Sequence, residues 1–114
     1  RDVVSAGATQ SSTGPATLVS PVSPDTAAKV TKMMVAVVER GTGTPAQLPH
    51  VAVAGKTGTA TNPRGRSHAW FVAFAPAENP RVAVAIVVEN VGYGATYAAP
   101  IARDVIRTAL SDGT

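Results

Sequence analysis

The sequence predicts an α+β fold, in which an antiparallel sheet of three consecutive strands has one helix before it and one after it. Apolar residues recur at helical spacing in two segments, one on each side of the strands in the chain. Between these segments lie three apolar runs, and residues 77–80 form a turn of hairpin length between the last two. No helical segment separates one strand from the next, so parallel crossover units are not expected.

The composition suits a small globular unit with a core of alanine and valine. The chain has 114 residues, of which 45% are hydrophobic but only 4% aromatic. The formal net charge is +3 and the basic residues are scattered, so an ordinary solvated surface is favoured over nucleic-acid binding. There is no cysteine, which excludes disulfides and cysteine-based metal sites.

The start of the sequence suggests that the chain begins inside a longer protein. The first residues neither include an initiator methionine nor resemble a signal peptide. The longest apolar run, residues 82–88, is far too short to span a membrane. Residues 1–22 are rich in Ser, Thr, Gly, Ala and Pro and are expected to form a loop or connector, with a short strand near residues 16–19. The folded body is expected over residues 23–114.

The first helix has a clear start and end in the sequence. Ser23 is placed to cap it, Pro24 suits its first turn, and Asp25 lies near the positive end of the helix dipole. Gly41 is expected to end it as a left-handed cap. Its apolar positions share one face: Ala27, Val30, Met34, Val37 and Val38.

The strands are expected at about 51–60, 68–75 and 81–89, and the last helix at about 97–110. Both faces of the second and third strands are apolar, so both faces of the sheet should be covered, most simply by helices. The last helix carries an apolar stripe wide enough to lie across a sheet: Ala98, Ile101, Ala102, Val105, Ile106 and Ala109.

The run 55–60, Gly-Lys-Thr-Gly-Thr-Ala, ends the first strand and allows three interpretations. A phosphate-binding P-loop would need a glycine where His50 stands, so it is disfavoured. An edge strand with an incidental lysine is the structural alternative, since the triplet Lys-Thr-Gly alone is only a moderate signal. The third interpretation is a serine acyl-transfer site, because Lys-Thr-Gly is one of three motifs of penicillin-interacting serine enzymes. The other two motifs, Ser-x-x-Lys and Ser-x-Asn, do not occur in the chain, so the nucleophile is expected on another segment.

Three segments, in this order and spacing, carry a resemblance that extends beyond the triplet. They are Gly-Thr-Gly at 41–43, Val-Ala-Gly-Lys-Thr-Gly-Thr-Ala at 53–60, and His-Ala-Trp-Phe-Val-Ala-Phe-Ala-Pro at 68–76. With them, most of residues 20–110 resembles the C-terminal part of the transpeptidase domain of class B penicillin-binding proteins. The pair Glu-Asn at 89–90 and Ala-Pro-Ile at 99–101 make the chain most similar to the actinobacterial penicillin-binding protein A type.

The resemblance implies a role for each residue of the triplet strand. Side chains alternate along a strand, so Thr57 and Thr59 share one face, while Lys56 and Gly58 share the other. The resemblance implies that the hydroxyls of Thr57 and Thr59 bind the terminal carboxylate of the substrate. It also implies that the backbone N–H of Thr59 stabilises the oxyanion and that Lys56 adds positive potential and orients the Ser-x-Asn hydroxyl. Gly58 would leave room for the close approach of another element.

The implied parent protein is a peptidoglycan DD-transpeptidase that cross-links stem peptides ending in D-Ala-D-Ala through a serine acyl-enzyme. β-Lactams would block it by acylation, and no metal or organic cofactor is implied. The parent would lie on the extracytoplasmic face of the plasma membrane, anchored by a segment outside this chain. Three alternatives stay open: a DD-carboxypeptidase, a serine β-lactamase, and a β-lactam sensor that is acylated without turnover. Deacylation and transpeptidation by the whole protein distinguish them.

Overall fold

The fold was examined in a computed structural model that describes residues 2–5, 8–12, 14, 16–17 and 19–112. In chain order its strands and helices are β1 Asp2–Ser5, β2 Ala8–Ser12, α1 Pro24–Arg40, β3 Ala54–Ala60, β4 His68–Ala75, β5 Val82–Val88 and α2 Gly94–Asp112. A single 3-10 turn, Thr44–Ala46, lies between α1 and β3.

The main sheet has the strand order β3-β4-β5, and both pairs are antiparallel. Thr57 of β3 lies opposite Phe71 of β4, and Phe71 lies opposite Ile86 of β5. The predicted α+β fold with a helix before and after an antiparallel sheet is therefore confirmed. The predicted bounds of β4 match, whereas β3 begins three residues later than expected.

The core lies on one face of this sheet. Alternate residues of β4 point into it, with Phe71 as its only large aromatic side chain. Val38 of α1 and the buried face of α2 belong to the same cluster, whose other members are mostly small. The buried alanines of β4 and α2 are Ala69, Ala73, Ala75, Ala98, Ala99 and Ala102. As the composition predicted, alanine supplies most of the contact between α2 and the sheet.

The opposite face of the sheet is exposed, which corrects the prediction that helices cover both faces. Trp70 and Val72 of β4 are each 41% exposed, and Val87 of β5 is 46% exposed. The buried residues of both helices lie on the Phe71 face instead. The apolar pattern does call for two covering layers, but the described residues of this chain supply only one of them.

The start of α1 is as predicted, but most of its apolar face is not buried. The Ser23 hydroxyl accepts a hydrogen bond of 3.2 Å from the backbone N–H of Thr26, so Ser23 is the N-cap. Among the residues of α1, only Val38 is buried. Ala27 and Val30, in the first half of the helix, are exposed.

The end of α1 corrects the predicted left-handed cap. Gly41 has φ −114° and ψ −155°, which is an extended conformation open to any residue. Glycine is instead needed at this position for lack of space, because an added Cβ would lie 2.9 Å from the carbonyl oxygen of Val37. That carbonyl accepts a hydrogen bond from the N–H of Gly41 at 3.0 Å.

Residues 1–22 contain more regular structure than the predicted loop. Strands β1 and β2 form an antiparallel pair with an irregular register between Val3 and Val4. Backbone pairing of this kind needs no apolar alternation, so the Ser- and Thr-rich sequence gave little sign of it. Residues 16, 17 and 19 lie outside any strand, so the strand predicted near 16–19 is wrong, while residue 18 is outside the described residues. The division of the chain at residue 22 stays a prediction.

Helix α2 begins at Gly94, three residues earlier than predicted, directly against the sheet. An added Cβ at Gly94 would clash with the carbonyl oxygen of Trp70 and would lie 2.8 Å from that of Gly58. Glycine therefore allows the first turn of α2 to rest on the backbone of two neighbouring strands. Neither α2 nor any other helix in the described part of the chain is long and apolar enough to cross a membrane.

The exposed sheet face predicts that residues 1–114, produced alone, aggregate or remain molten. The exposed apolar side chains and the unpaired strand edges would then meet solvent without a covering layer. Size-exclusion chromatography and near-ultraviolet circular dichroism would measure this, with the full-length protein as the comparison. A monomeric chain with one cooperative thermal transition would contradict the prediction.

Candidate active site

All four predicted site residues lie on β3, at an edge of the main sheet. β3 pairs with β4 on one side, and within the described residues no strand lies along its other side. Thr57 and Thr59 lie opposite Phe71 and Ala69, so they share the face that α2 covers. The strand is buried at its start and becomes exposed toward Ala60, which leaves the triplet open along the edge. Unpaired backbone groups on such an edge are available to a ligand.

The strand conformation excludes the P-loop interpretation. Gly55, Lys56 and Thr57 are all in β3, whereas the lysine of a P-loop lies at a loop that opens a helix. Gly55 is needed for packing, because an added Cβ would lie 2.5 Å from Cζ of the buried Phe71. At Gly58 an added Cβ would lie 3.1 Å from Cβ of Trp70, so the tight neighbour there is the adjacent strand.

Lys56 is exposed, and its side chain projects from the face of β3 opposite to the one that carries Thr57. Its Nζ donates a hydrogen bond of 2.8 Å to the backbone carbonyl of Thr57. An ammonium group has three donors, so two remain for other groups. The ammonium is therefore held beside the strand edge while it keeps the capacity to bind an acceptor.

Thr57 is half-buried, and its hydroxyl has a partner that the sequence did not predict. The Oγ1 atoms of Thr57 and Thr42 lie 2.9 Å apart in a hydrogen bond for which either can be the donor. Thr42 belongs to the Gly-Thr-Gly segment that follows α1. That segment was one of the three that carried the resemblance, and this was the only signal for Thr42 in the sequence.

A cavity of about 400 Å³ adjoins Thr59 at the open end of β3. Arg66 and Ser67, from the loop between β3 and β4, line one side of it. Tyr93, which directly precedes α2, and Tyr97, in its first turns, line another. The structure places all four beside Thr59.

The two loops that flank this cavity are joined by hydrogen bonds. The Asn62 amide donates to Oδ1 of Asn90, and its own Oδ1 accepts the backbone N–H of Arg64 at 3.0 Å. His68 Nδ1 accepts the backbone N–H of Asn90 at 3.1 Å. Asn90 has φ 60°, a left-handed conformation that asparagine tolerates well. His68, the first residue of β4, thus connects that strand to the turn after β5.

Residues 6–107 match the family described as the penicillin binding protein transpeptidase domain. The chain belongs to this family. The match covers most of the chain and includes α1, the triplet strand β3 and the greater part of α2.

Two kinds of relative show how far the similarity to transpeptidases extends. The peptidoglycan D,D-transpeptidase PbpA of Mycolicibacterium smegmatis is 45% identical over an alignment of 116 positions, gaps included. The alignment covers 94% of this chain and 23% of the relative. The D,D-transpeptidase domain of an Eggerthella lenta peptidoglycan glycosyltransferase has a TM-score of 0.80 at 44% identity, covering 94% of this chain and 25% of that domain chain. The chain thus spans about a quarter of the length of these relatives.

A third relative is solved with a β-lactam. Penicillin-binding protein A of Mycobacterium tuberculosis, as its ceftriaxone acyl-enzyme complex, has a TM-score of 0.76 at 44% identity over 90% of this chain and 25% of that one. This similarity agrees with the predicted type within the family. Among the described residues, no three or more His, Asp or Glu side chains come together in a group that could hold a metal ion.

Proposed function

We propose that this chain is the triplet-strand part of a peptidoglycan DD-transpeptidase. The observation that carries the proposal is the open edge of β3, where Lys56 to Thr59 stand in a chain that matches the transpeptidase family over residues 6–107. The parent enzyme would transfer the acyl group of a stem peptide ending in D-Ala-D-Ala to a second stem peptide through a serine acyl-enzyme. β-Lactams would acylate the same serine, in line with the acyl-enzyme complex of a relative.

The two threonines are proposed to bind the substrate's terminal carboxylate. A carboxylate only accepts hydrogen bonds, so each threonine hydroxyl must donate its proton to it. Thr57 and Thr59 project from the same face of β3, two residues apart along the open edge. The two hydroxyls and the carboxylate would form charge-assisted hydrogen bonds, which are stronger than neutral ones.

The chemical step needs donors aimed at the oxygen that becomes negative. We assign one of them to the backbone N–H of Thr59, and the other to the backbone of the nucleophilic serine. Lys56 would raise the local positive potential and orient the hydroxyl of the Ser-x-Asn motif. These roles rest on the family and on the position of the residues along the edge of β3.

The nucleophilic serine is proposed to lie on another segment of the same transpeptidase domain. No serine of this chain has a lysine three residues on or an asparagine two residues on. The uncovered sheet face and the open edge of β3 are where such a segment would pack. We place the parent protein on the extracytoplasmic face of the plasma membrane, where peptidoglycan is assembled, with its anchor outside this chain.

Labelled penicillin tests the proposed function. The full-length protein is expected to form a stable covalent adduct that mass spectrometry maps to a serine outside residues 1–114. The isolated 114-residue chain is expected to form none, because it lacks the Ser-x-x-Lys nucleophile. An adduct on the isolated chain, or none on the folded full-length protein, would overturn the proposal. Rapid deacylation would indicate a β-lactamase, and acylation without cross-linking a sensor or a carboxypeptidase.

A further inference from the structure

We propose that Thr42 is a positioning residue for the carboxylate site: it orients the hydroxyl of Thr57 so that the Thr57 proton points to the substrate. The inference rests on the proposed function. It starts from the 2.9 Å hydrogen bond between the two Oγ1 atoms, which joins the Gly-Thr-Gly segment to the triplet strand. The two residues are 15 apart in sequence, so the contact is made by the fold and not by local geometry.

A count of protons gives the direction of this hydrogen bond when a carboxylate is bound. A threonine hydroxyl carries one proton and two acceptor lone pairs. If Thr57 donates its proton to a carboxylate, it can only accept from Thr42. Thr42 must then be the donor, and its proton occupies a lone pair of Thr57. This fixes the rotation of the Thr57 hydroxyl and directs its proton to the open strand edge.

The backbone around Thr42 is shaped to hold it in this place. The carbonyl oxygen of Val37 accepts two hydrogen bonds, from the N–H of Gly41 at 3.0 Å and from that of Gly43 at 2.9 Å. Added Cβ atoms at the two glycines would lie 2.9 Å from that oxygen and 3.1 Å from Val37 Cγ1, respectively. A side chain at residue 41 would force the backbone to shift, and one at residue 43 would require Val37 to give by a few tenths of an ångström. The tight turn directs Thr42 toward β3.

The end of α1 that carries this turn is itself held in place. The side-chain amide nitrogen Nε2 of Gln47 donates hydrogen bonds to the backbone carbonyls of Val38 and Glu39, at 2.9 Å each. Val38 is buried against the same core as Phe71, which lies opposite Thr57. One rigid set of contacts therefore runs from the core to Thr42 and fixes its hydroxyl relative to the triplet strand.

The test compares Thr42→Val with Thr42→Ser in the full-length protein. Valine keeps the shape but loses the hydroxyl, so the apparent dissociation constant for benzylpenicillin should rise about three- to tenfold, the effect of one neutral hydrogen bond. The limiting acylation rate should stay unchanged, because the carboxylate is bound alike before and during reaction. Thr42→Ser should restore wild-type affinity. Benzylpenicillin methyl ester, which has no carboxylate, should not distinguish the three proteins.

A double variant separates positioning from general stability. In a Thr57→Val background, Thr42→Val should have no further effect on affinity, since Thr42 acts through the Thr57 hydroxyl. Additive losses, equal losses with the methyl ester, or wild-type affinity of a folded Thr42→Val variant would each overturn the inference while leaving the proposed function intact. Absence of acylation in the folded wild type would instead overturn both.

Discussion

Replacement of Thr59 by proline in the full-length protein is expected to lower the rate of acylation by penicillin at least about a hundred- to thousandfold. Proline has no backbone N–H, so the proposed oxyanion donor is lost, and its ring also disturbs the pairing of β3. The rate constant for acylation by a fluorescent penicillin measures the loss. Circular dichroism of the same preparation shows whether the variant is folded.

Thr59→Val is the matched control because it keeps the N–H and the branched shape and removes only the hydroxyl. Loss of one charge-assisted hydrogen bond to the carboxylate should cost about 1.5–3 kcal/mol, or about ten- to a hundredfold in the second-order rate constant for acylation. Thr59 is exposed at the end of β3, so the valine should not disturb the core. If the valine and proline variants lose activity equally, the backbone N–H of Thr59 is not the oxyanion donor.

Lys56→Ala is expected to reduce acylation more than Thr59→Val does, because it removes both a charge and an orienting donor. Lys29→Ala is a control with the same change in net charge, since Lys29 lies on α1 in an exposed ion pair with Asp25. That control should acylate at the wild-type rate. Both variants would be measured with the penicillin reporter, and their folding checked by circular dichroism. A folded Lys56→Ala variant with the wild-type rate would remove Lys56 from the site and leave the triplet as an ordinary edge strand.

The sequence predicted those parts of the fold that depend on local chemistry. Ser23 and Pro24 identified the start of α1, and the apolar run at 68–75 gave the bounds of β4. The short turn after β4 predicted its antiparallel pairing with β5. The shared face of Thr57 and Thr59 followed from alternation along β3. Each of these features is decided by residues that are neighbours in the chain.

What the sequence did not predict depends on contacts between distant segments. The hydrogen bonds between Thr42 and Thr57 and between Asn62 and Asn90 join residues 15 and 28 apart. Polar residues in loops carry no periodic signal, so nothing in their spacing indicates a partner. The apolar pattern of β4 and β5 did indicate two buried faces, but a pattern cannot tell whether the covering layer belongs to the same piece of chain.

The alanine contact between α2 and β4 affects the size of the cavity beside Thr59. Small methyl side chains lie between the helix and the sheet at Ala69, Ala73, Ala98 and Ala102, beside the larger Phe71 and Ile106. A larger aliphatic residue at any of them would push the helix outward, since a packed interior has no spare volume. Tyr93 and Tyr97 would move with it, and the cavity beside Thr59 would widen. The size of the cavity beside Thr59 can therefore change through substitutions at residues that do not line it.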